Sequence, residues 1–308
     1  MREVTASRLE RLSDRGRRLT AVAAVIGREF EFALLQRAAG MDELEAADGL
    51  EELVRRRIVH DVSERFDFVH DRIRELAYSE VLPPRRRLLH GAVGQALEEL
   101  YAQNLEPHYA ALGTHYRAGD VWPKALTYLR LAGAQSVTRS AYREAVAYFE
   151  QALAALERLP EGPPTLEQGV DLRCDLRNAL VPLDEYARIF DRMREADVLA
   201  GRLGDDQRSS RIAGYLCRCF IDDHDSASAI EAGQRAVALA TRSRASDVQV
   251  VAQTYLGMAY HDVGDFRLAA ELHRQSHQPI GADARAVAAG QADDNVGVVQ
   301  QGLAIHGL

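Results

Sequence analysis

Apolar residues recur at helical spacing through Leu9, Leu12, Leu19, Val22, Ala23 and Ile26, and the run stops at Gly27, which predicts a first helix. Phe30 to Ala39 predicts a second helix closed by Gly40, and Leu44, Ala47, Leu50 and Leu53 predict the buried stripe of a third. Asp42 stands where that third helix needs a cap, with Glu45 as its capping-box partner. The period then falls to two. Ile58-Val59-His60 and, after a polar turn, Phe66-Asp67-Phe68-Val69 read as two short strands, with Phe66 and Phe68 on one face by alternation. Ile73, Leu76, Ala77 and Val81 return to helical spacing. Pro83-Pro84 end that helix and open another, which carries Leu88, Leu89, Val93, Ala96 and Leu97.

Three helices, a short two-stranded wing and further helix outline a winged-helix-like domain over residues 1–103. From Glu106 onward small and large residues recur in another way. A tetratricopeptide pair places a Leu-Gly or Leu-Ala couple in its first helix and Ala-x-x-x-Phe-x-x-Ala in its second, so that the two backbones can approach closely. Leu112-Gly113 and Tyr116 precede Ala125, Leu129 and Ala132, and Ala132-Gly133 precede Ala145, Phe149 and Ala152. These two frames overlap, which assigns the helix near Trp122 to Thr138 to both hairpins. Downstream, Leu176 and Leu180 precede Ile189, Met193 and Ala196. Leu216, Cys217 and Phe220 precede Ala229, Gly233 and Ala236, and Leu256-Gly257 and Tyr260 precede Ala269.

Ile189, Ala229 and Ala269 lie 40 residues apart each time. That is longer than the roughly 34 residues of the simplest repeat, and the surplus is assigned to longer loops between repeats. Gly264-Asp265 marks the turn within the last hairpin, and Glu161-Gly162-Pro163-Pro164 is the clearest break. The expected fold is therefore mainly α, a winged-helix-like domain followed by a tetratricopeptide-like α-solenoid. Its first helices occupy 104–160, repeats of about 40 residues occupy 165–278, and an irregular or truncated tail occupies 279–308. Gly281, Gly290, Gly297 and Gly302 interrupt the pattern in that tail, as expected for a fragment or split-gene product.

Composition narrows the function. Across 308 residues, 38 basic against 46 acidic side chains give a formal net charge of -8, which disfavours a general grip on nucleic acid or anionic membrane. Lysine occurs once, at Lys124, behind Trp122 and Pro123 rather than a glycine-rich loop, so the phosphate-cradling G-x-x-x-x-G-K-[ST] motif is absent. The apolar run from Leu19 to Gly27 is too short to span a bilayer, and three irregularly spaced cysteines form no disulfide framework. A cytoplasmic protein with no membrane partner is expected.

The candidate chemical sites each have a plainer structural reading. His70-Asp71 could belong to a metal phosphohydrolase, but such a site needs further converging ligands; otherwise His70 ends the second strand and Asp71 caps the next helix. His273 and His277 share a helical spacing without the glutamate of a metalloprotease. Cys217 and Cys219 point apart on a helix, with Cys217 at a packing position. Asp222-Asp223-His224-Asp225 is too short for a calcium loop and reads as a turn with Asp225 as a cap. Tyr142, Tyr148, Tyr215 and Tyr260 read as hairpin packing residues. No nucleophile has an identifiable base, so no catalytic or metal-binding residue and no enzyme activity is expected.

The run FDFVHDRIRELAYSEVLPPRRRLLHGAVGQALEEL, Phe66 to Leu100, joined to HYRAGDVWPKALTYLRLAGAQSVTRSAYREAVAYFEQAL, His115 to Leu153, resembles the region after the nucleotide-binding core in bacterial signal-transduction ATPases with numerous domains. That group includes maltose-activator-like and LuxR-type regulators and ATPases linked to class III adenylate cyclases. The resemblance covers about residues 5–275. It implies the order ATPase core, winged helix, repeat sensor, with this sequence matching from the second element onward. It also implies a role for His70: a histidine in a Met-His-Asp phrase of related ATPases approaches bound ADP, and here Val69 replaces the methionine while His70 and Asp71 match. His70 is thus a vestigial nucleotide-sensor candidate, with ATP or ADP as cofactor only where an ATPase core is supplied by another chain.

The leading expectation is a non-catalytic interaction or sensor module that binds a protein, peptide or small effector on its repeats, with an ATPase chain as a further partner. The alternatives are a DNA-binding transcriptional regulator using the winged helix and a remnant ATPase- or adenylate-cyclase-associated regulator. DNA contact is disfavoured by Asp42, Glu43, Glu45, Asp48, Glu51 and Glu52 on the candidate recognition helix, although Arg55–Arg57 and Arg85–Arg87 are basic.

Overall fold

A computed structural model describes residues 8–276, except residue 64. The chain divides into two compact units, Met1–Leu129 and Arg130–Leu308, of which the described parts are 8–129 and 130–276.

In the first unit, helix α1 (Asp14–Ile26) leads to strand β1 (Glu29–Glu31), α2 (Phe32–Ala39) and α3 (Glu43–Arg55). Strands β2 (Val59–Val62) and β3 (Arg65–Phe68) follow, then α4 (Asp71–Glu80), α5 (Pro83–Leu100) and α6 (Tyr109–Ala118). The helical periodicity that runs from Leu9 to Ile26 is broken at Ser13, whose hydroxyl caps α1 by accepting from the Gly16 amide at 3.0 Å. Glu52 of α3 holds that cap, accepting from the Ser13 amide at 2.9 Å and from its hydroxyl. Burial opposes charge on Glu52, and the two bonds from Ser13 outweigh it, leaving its carboxyl below the ordinary range. Asp42 caps α3 as expected, accepting from the Glu45 amide at 2.9 Å. Gly40 ends α2 in the left-handed conformation, which glycine adopts without steric cost.

The sheet corrects the sequence reading. It has three antiparallel strands in the order β1-β3-β2, because Glu29-Phe30-Glu31 pairs with β3 instead of starting the second helix. Alternation explains the difference: Phe30 points into the core and contacts Phe66 and Phe68, each at a ring-centroid distance of 6.1 Å. Glu29 and Glu31 face outward to Arg65 at 3.8 and 3.9 Å. Phe66 and Phe68 share a face as expected. The stripe of α3 is also shifted, since Ala46, Leu50 and Leu53 are buried while Leu44 is 80% exposed. With Leu19, Leu35, Ile58, Ile73 and Val93, these residues form the core, and each large side chain fully buried there contributes about 1.5–3 kcal/mol.

Helix α7 (Trp122–Thr138) contains the boundary between the units. On its first-unit side Leu129 fills the space left by Gly113, where an added Cβ would lie 2.9 Å away. On its second-unit side Gly133 admits Phe149, where the same atom would lie 2.5 Å from the ring. The double use of this helix was legible in the overlapping frames.

The second unit continues with α8 (Tyr142–Leu156), α9 (Pro163–Leu180), α10 (Tyr186–Leu203), α11 (Asp206–Asp222), α12 (Ser226–Ser243), α13 (Ser246–Asp262) and α14 (Phe266–Ser276). It is a stack of antiparallel helix pairs, and α11 packs on α12 and also directly on α13. Ile189, Ala229 and Ala269, equivalent by spacing, are all buried. The surplus residues of the repeat do not lengthen its loops. One period consists of helices of 18 and 17 residues, α10 and α11, and the connections 204–205 and 223–225 are short turns. The turns repeat as well: Asp184, His224 and Gly264 are left-handed within hairpins, and Gly204 and Arg244 between them. The Asp225 amide donates to the Phe220 carbonyl and, one period on, the Asp265 amide to the Tyr260 carbonyl, both at 2.9 Å.

Candidate functional site

In the second unit one member of each helix pair, α9, α11 and α13, contributes to a shared face, and ionised residues are sequestered on it. Asp171, Cys174, Asp175 and Asn178 follow helical i, i+3, i+4, i+7 spacing along α9, and Arg208, Arg211 and Tyr215 follow i, i+3, i+7 along α11. Stripes that a helix pair would ordinarily fill with aliphatic side chains here carry charge.

Two of the arginines are fully engaged. Arg130, at the end of α7 that belongs to this unit, donates from Nε to Asp175 Oδ2 at 2.6 Å. Burial pushes the Asp175 carboxyl up against the pull of Arg130. Arg208 spans three carboxylates, reaching Asp171 and Glu167 from Nη2 at 3.0 and 3.6 Å and Asp205 from Nη1 at 2.6 Å. Asp205 also caps α11 through the Arg208 amide at 3.0 Å.

The other two lack acidic partners. Arg177 is only 7% exposed, yet among the described residues it has no carboxylate within 4.0 Å. Its Nη1 donates to Asn178 Oδ1 at 3.1 Å, its guanidinium lies 4.1 Å from the centre of the Tyr215 ring, and its buried Nε has no hydrogen-bond partner. Arg211, half-buried one helical turn before Tyr215, likewise forms no ion pair among the described residues. Neither adjacent acid of higher pKa compensates, because burial pushes the Cys174 thiol and the Tyr215 hydroxyl each up to about 12, leaving both neutral. The four carboxylates of this region, Glu167, Asp171, Asp175 and Asp205, are thus all taken by Arg130 and Arg208, and Arg177 and Arg211 are left without one. Tyr255 of α13 extends the surface, its ring 6.3 Å from that of Tyr215 at 73°.

Apart from Tyr215, the residues singled out by sequence lie elsewhere. His70 is exposed at the N-cap position of α4 and makes no capping bond; Asp71 is the first helical residue rather than the cap, and its carboxylate meets Arg28 Nη1 at 3.3 Å. Arg28 also bonds Asp67 at 3.3 Å, so the Val69-His70-Asp71 phrase is tied to the start of β1. Cys217 is buried at a packing position as expected, and Asp225 caps α12 by accepting from the Ser228 amide at 3.1 Å. His273 lies in α14 against Gly257, while His277 and the expected irregular tail fall outside the described residues. Among the described residues no group of three or more His, Cys, Asp or Glu side chains is placed to hold a metal ion, and no helix is long and apolar enough to cross a membrane. An open pocket of about 300 Å³ in the first unit is lined by Leu9, Leu12, Thr20, Ala77 and Val81, with Arg17, Glu80 and Arg85 contributing charges of both signs.

Sequence reading assigned Tyr215 to packing and did not single out Arg177 or Arg211. The available signal was charge at core-facing helical positions of two helices one repeat apart.

No family model and no curated protein matches the chain. Among solved structures the likenesses are partial. The apo form of RapI is 11% identical with a TM-score of 0.49, over 79% of this chain and 64% of that one. BtubC from P. vanneervenii is 15% identical with a TM-score of 0.46, over 73% of this chain and 89% of that one. A signal-transduction ATPase with numerous domains and a tetratricopeptide repeat sensor, from Pyrococcus horikoshii, is 10% identical with a TM-score of 0.41; the likeness covers 87% of this chain and 50% of that one.

Proposed function

We propose that this chain is a non-catalytic interaction module whose second unit binds an extended segment of a partner protein on the α9–α11–α13 face. The observation that carries the proposal is Arg177, buried over the Tyr215 ring with no ion-pair partner among the described residues and with its Nε unbonded. A scaffold face serving stability alone gains nothing from a buried guanidinium without an acid, since desolvating an unpaired charge costs several kcal/mol by rough estimate. Helical repeats present such a face on rigid elements and perform no bond chemistry themselves. The resemblance of Phe66–Leu153 to signal-transduction ATPases supports a finer reading, in which the module is the sensor arm of such a system and an ATPase core is a further partner.

Selection of random linear peptides on the purified chain tests the binding role. The expected result is a set of peptides that bind saturably with one-to-one stoichiometry by calorimetry and lose affinity on Tyr255→Ala. Failure to recover any saturable binder, or binders indifferent to every substitution on α9, α11 and α13, overturns it.

A further inference from the structure

We infer that Arg177 and Arg211, arranged around Tyr215, form a subsite for a carboxylate of the bound peptide. The inference rests on the peptide-binding reading and specifies its ligand chemistry.

The charge inventory leads to this class. Asp175 is occupied by Arg130, and Glu167, Asp171 and Asp205 by Arg208. The nearby Cys174 and Tyr215 supply no negative charge. Asn178 can satisfy one Arg177 nitrogen with its carbonyl oxygen but cannot neutralise the guanidinium. The Tyr215 ring stacks against the guanidinium plane, a contact that fixes orientation while leaving the in-plane N–H groups available for an acceptor. Arg177 Nε, buried and without an acceptor, is the most specific mark, because buried donors in folded proteins are paired almost without exception. Arg211 lies on the same stripe of α11 as Tyr215 and is more accessible than Arg177. Two arginine forks in a partly desolvated site fit a planar carboxylate, which can accept two parallel N–H bonds. A glutamate or aspartate side chain and a peptide C-terminus share this chemistry.

The test uses the full chain labelled with [15N]arginine, following the Nε–H resonances by NMR at constant ionic strength. The Arg177→Lys and Arg211→Gln variants assign the signals. N-acetylglutamate α-amide offers only a side-chain carboxylate, N-acetylglycine only a terminal one, and inorganic phosphate serves as the competing anion. The expected result is saturable movement of the Arg177 and Arg211 signals with at least one carboxylate, while those of Arg130 and Arg208 stay in place. The tighter of the two identifies the source. R211Q, which leaves the buried Arg177 in place, should weaken binding about tenfold with the fold intact, as loss of a charge-assisted hydrogen bond implies. No saturable movement, movement unchanged in R211Q, or saturation by phosphate at a lower concentration than either carboxylate overturns the inference. Carboxylates that fail here while selected peptides still bind remove the subsite and leave the peptide-binding role; the converse removes that role and leaves the subsite.

Discussion

His90 and His115 are buried side by side in the first unit, with their Nδ1 atoms 3.0 Å apart and His90 Nε2 at 3.1 Å from the Tyr78 hydroxyl. One imidazole must donate and the other accept, so the pair requires at least one neutral ring. Burial, and then the neighbouring His90, push His115 down from 6.5 to about 4, while burial and then Arg86 lower His90. The unfolded chain therefore takes up protons on these groups before the folded one does. Their contribution is complete above the unfolded value and is lost as pH falls toward the folded value. Between pH 6.5 and 4 the His115 contribution amounts to on the order of 3 kcal/mol. Urea denaturation across that range should show wild-type stability falling more steeply than that of His115→Asn; equal slopes would refute the assignment. A second prediction at this scale concerns Gly133. A Cβ there would lie 2.5 Å from the Phe149 ring, so Gly133→Ala should lower stability by about 1–3 kcal/mol in thermal unfolding.

At the level of elements, the 40-residue period is carried by backbone conformation as much as by side chains. Its left-handed turns use glycine at Gly204 and Gly264 but arginine and histidine at Arg244 and His224. Non-glycine residues pay a steric cost of about 1 kcal/mol in that region. Arg244→Gly should therefore raise the melting temperature, and Gly264→Val should lower it by more than Arg244→Gly raises it; scanning calorimetry of both variants reads the two signs. Much of this level was legible in the sequence. Caps at Asp42 and Asp225, the Phe66–Phe68 face, the shared helix Trp122–Thr138 and the equivalence of Ile189, Ala229 and Ala269 all follow from local chemistry and spacing. The break at Ser13 was not, because Leu9 and Leu12 before it and Leu19 and Val22 after it are all buried and keep the apolar rhythm. Strand β1 was hidden because three residues hold only one apolar position, and its pairing with β3 is a long-range fact. The unpaired state of Arg177 and Arg211 was invisible for a similar reason: which arginine meets an acid depends on contacts between helices, such as Arg208 with Asp171 across 37 positions.

Across the whole chain, a net charge of -8 coexists with local basic clusters, part of one of which the fold employs for itself. Arg86 donates to the Val81 carbonyl at 2.7 Å, and Arg87 pairs with Asp120 at 3.4 Å. The N-terminal turn of α3 carries Glu43 and Glu45, where a helix entering a DNA groove would need to approach phosphates. Duplex DNA should accordingly show no retardation by the purified chain in gel electrophoresis at physiological salt; retardation abolished by substituting Arg55–Arg57 would instead restore the DNA-binding reading. Ion pairs between successive repeats, Arg188 with Glu150 at 2.6 Å and Arg235 with Asp197, tie α10 to α8 and α12 to α10. The matching turns at Gly204 and Arg244 give this arrangement a genetic dimension. A segment cut after each of them, from Asp205 to Arg244, starts and finishes in the same backbone geometry. Duplicating that cassette in tandem adds one hairpin without requiring any new chain conformation, leaving only the seam side chains to adapt. The length of the helix-pair array is in this sense an inheritable quantity, open to change by recombination while the fold stays as it is.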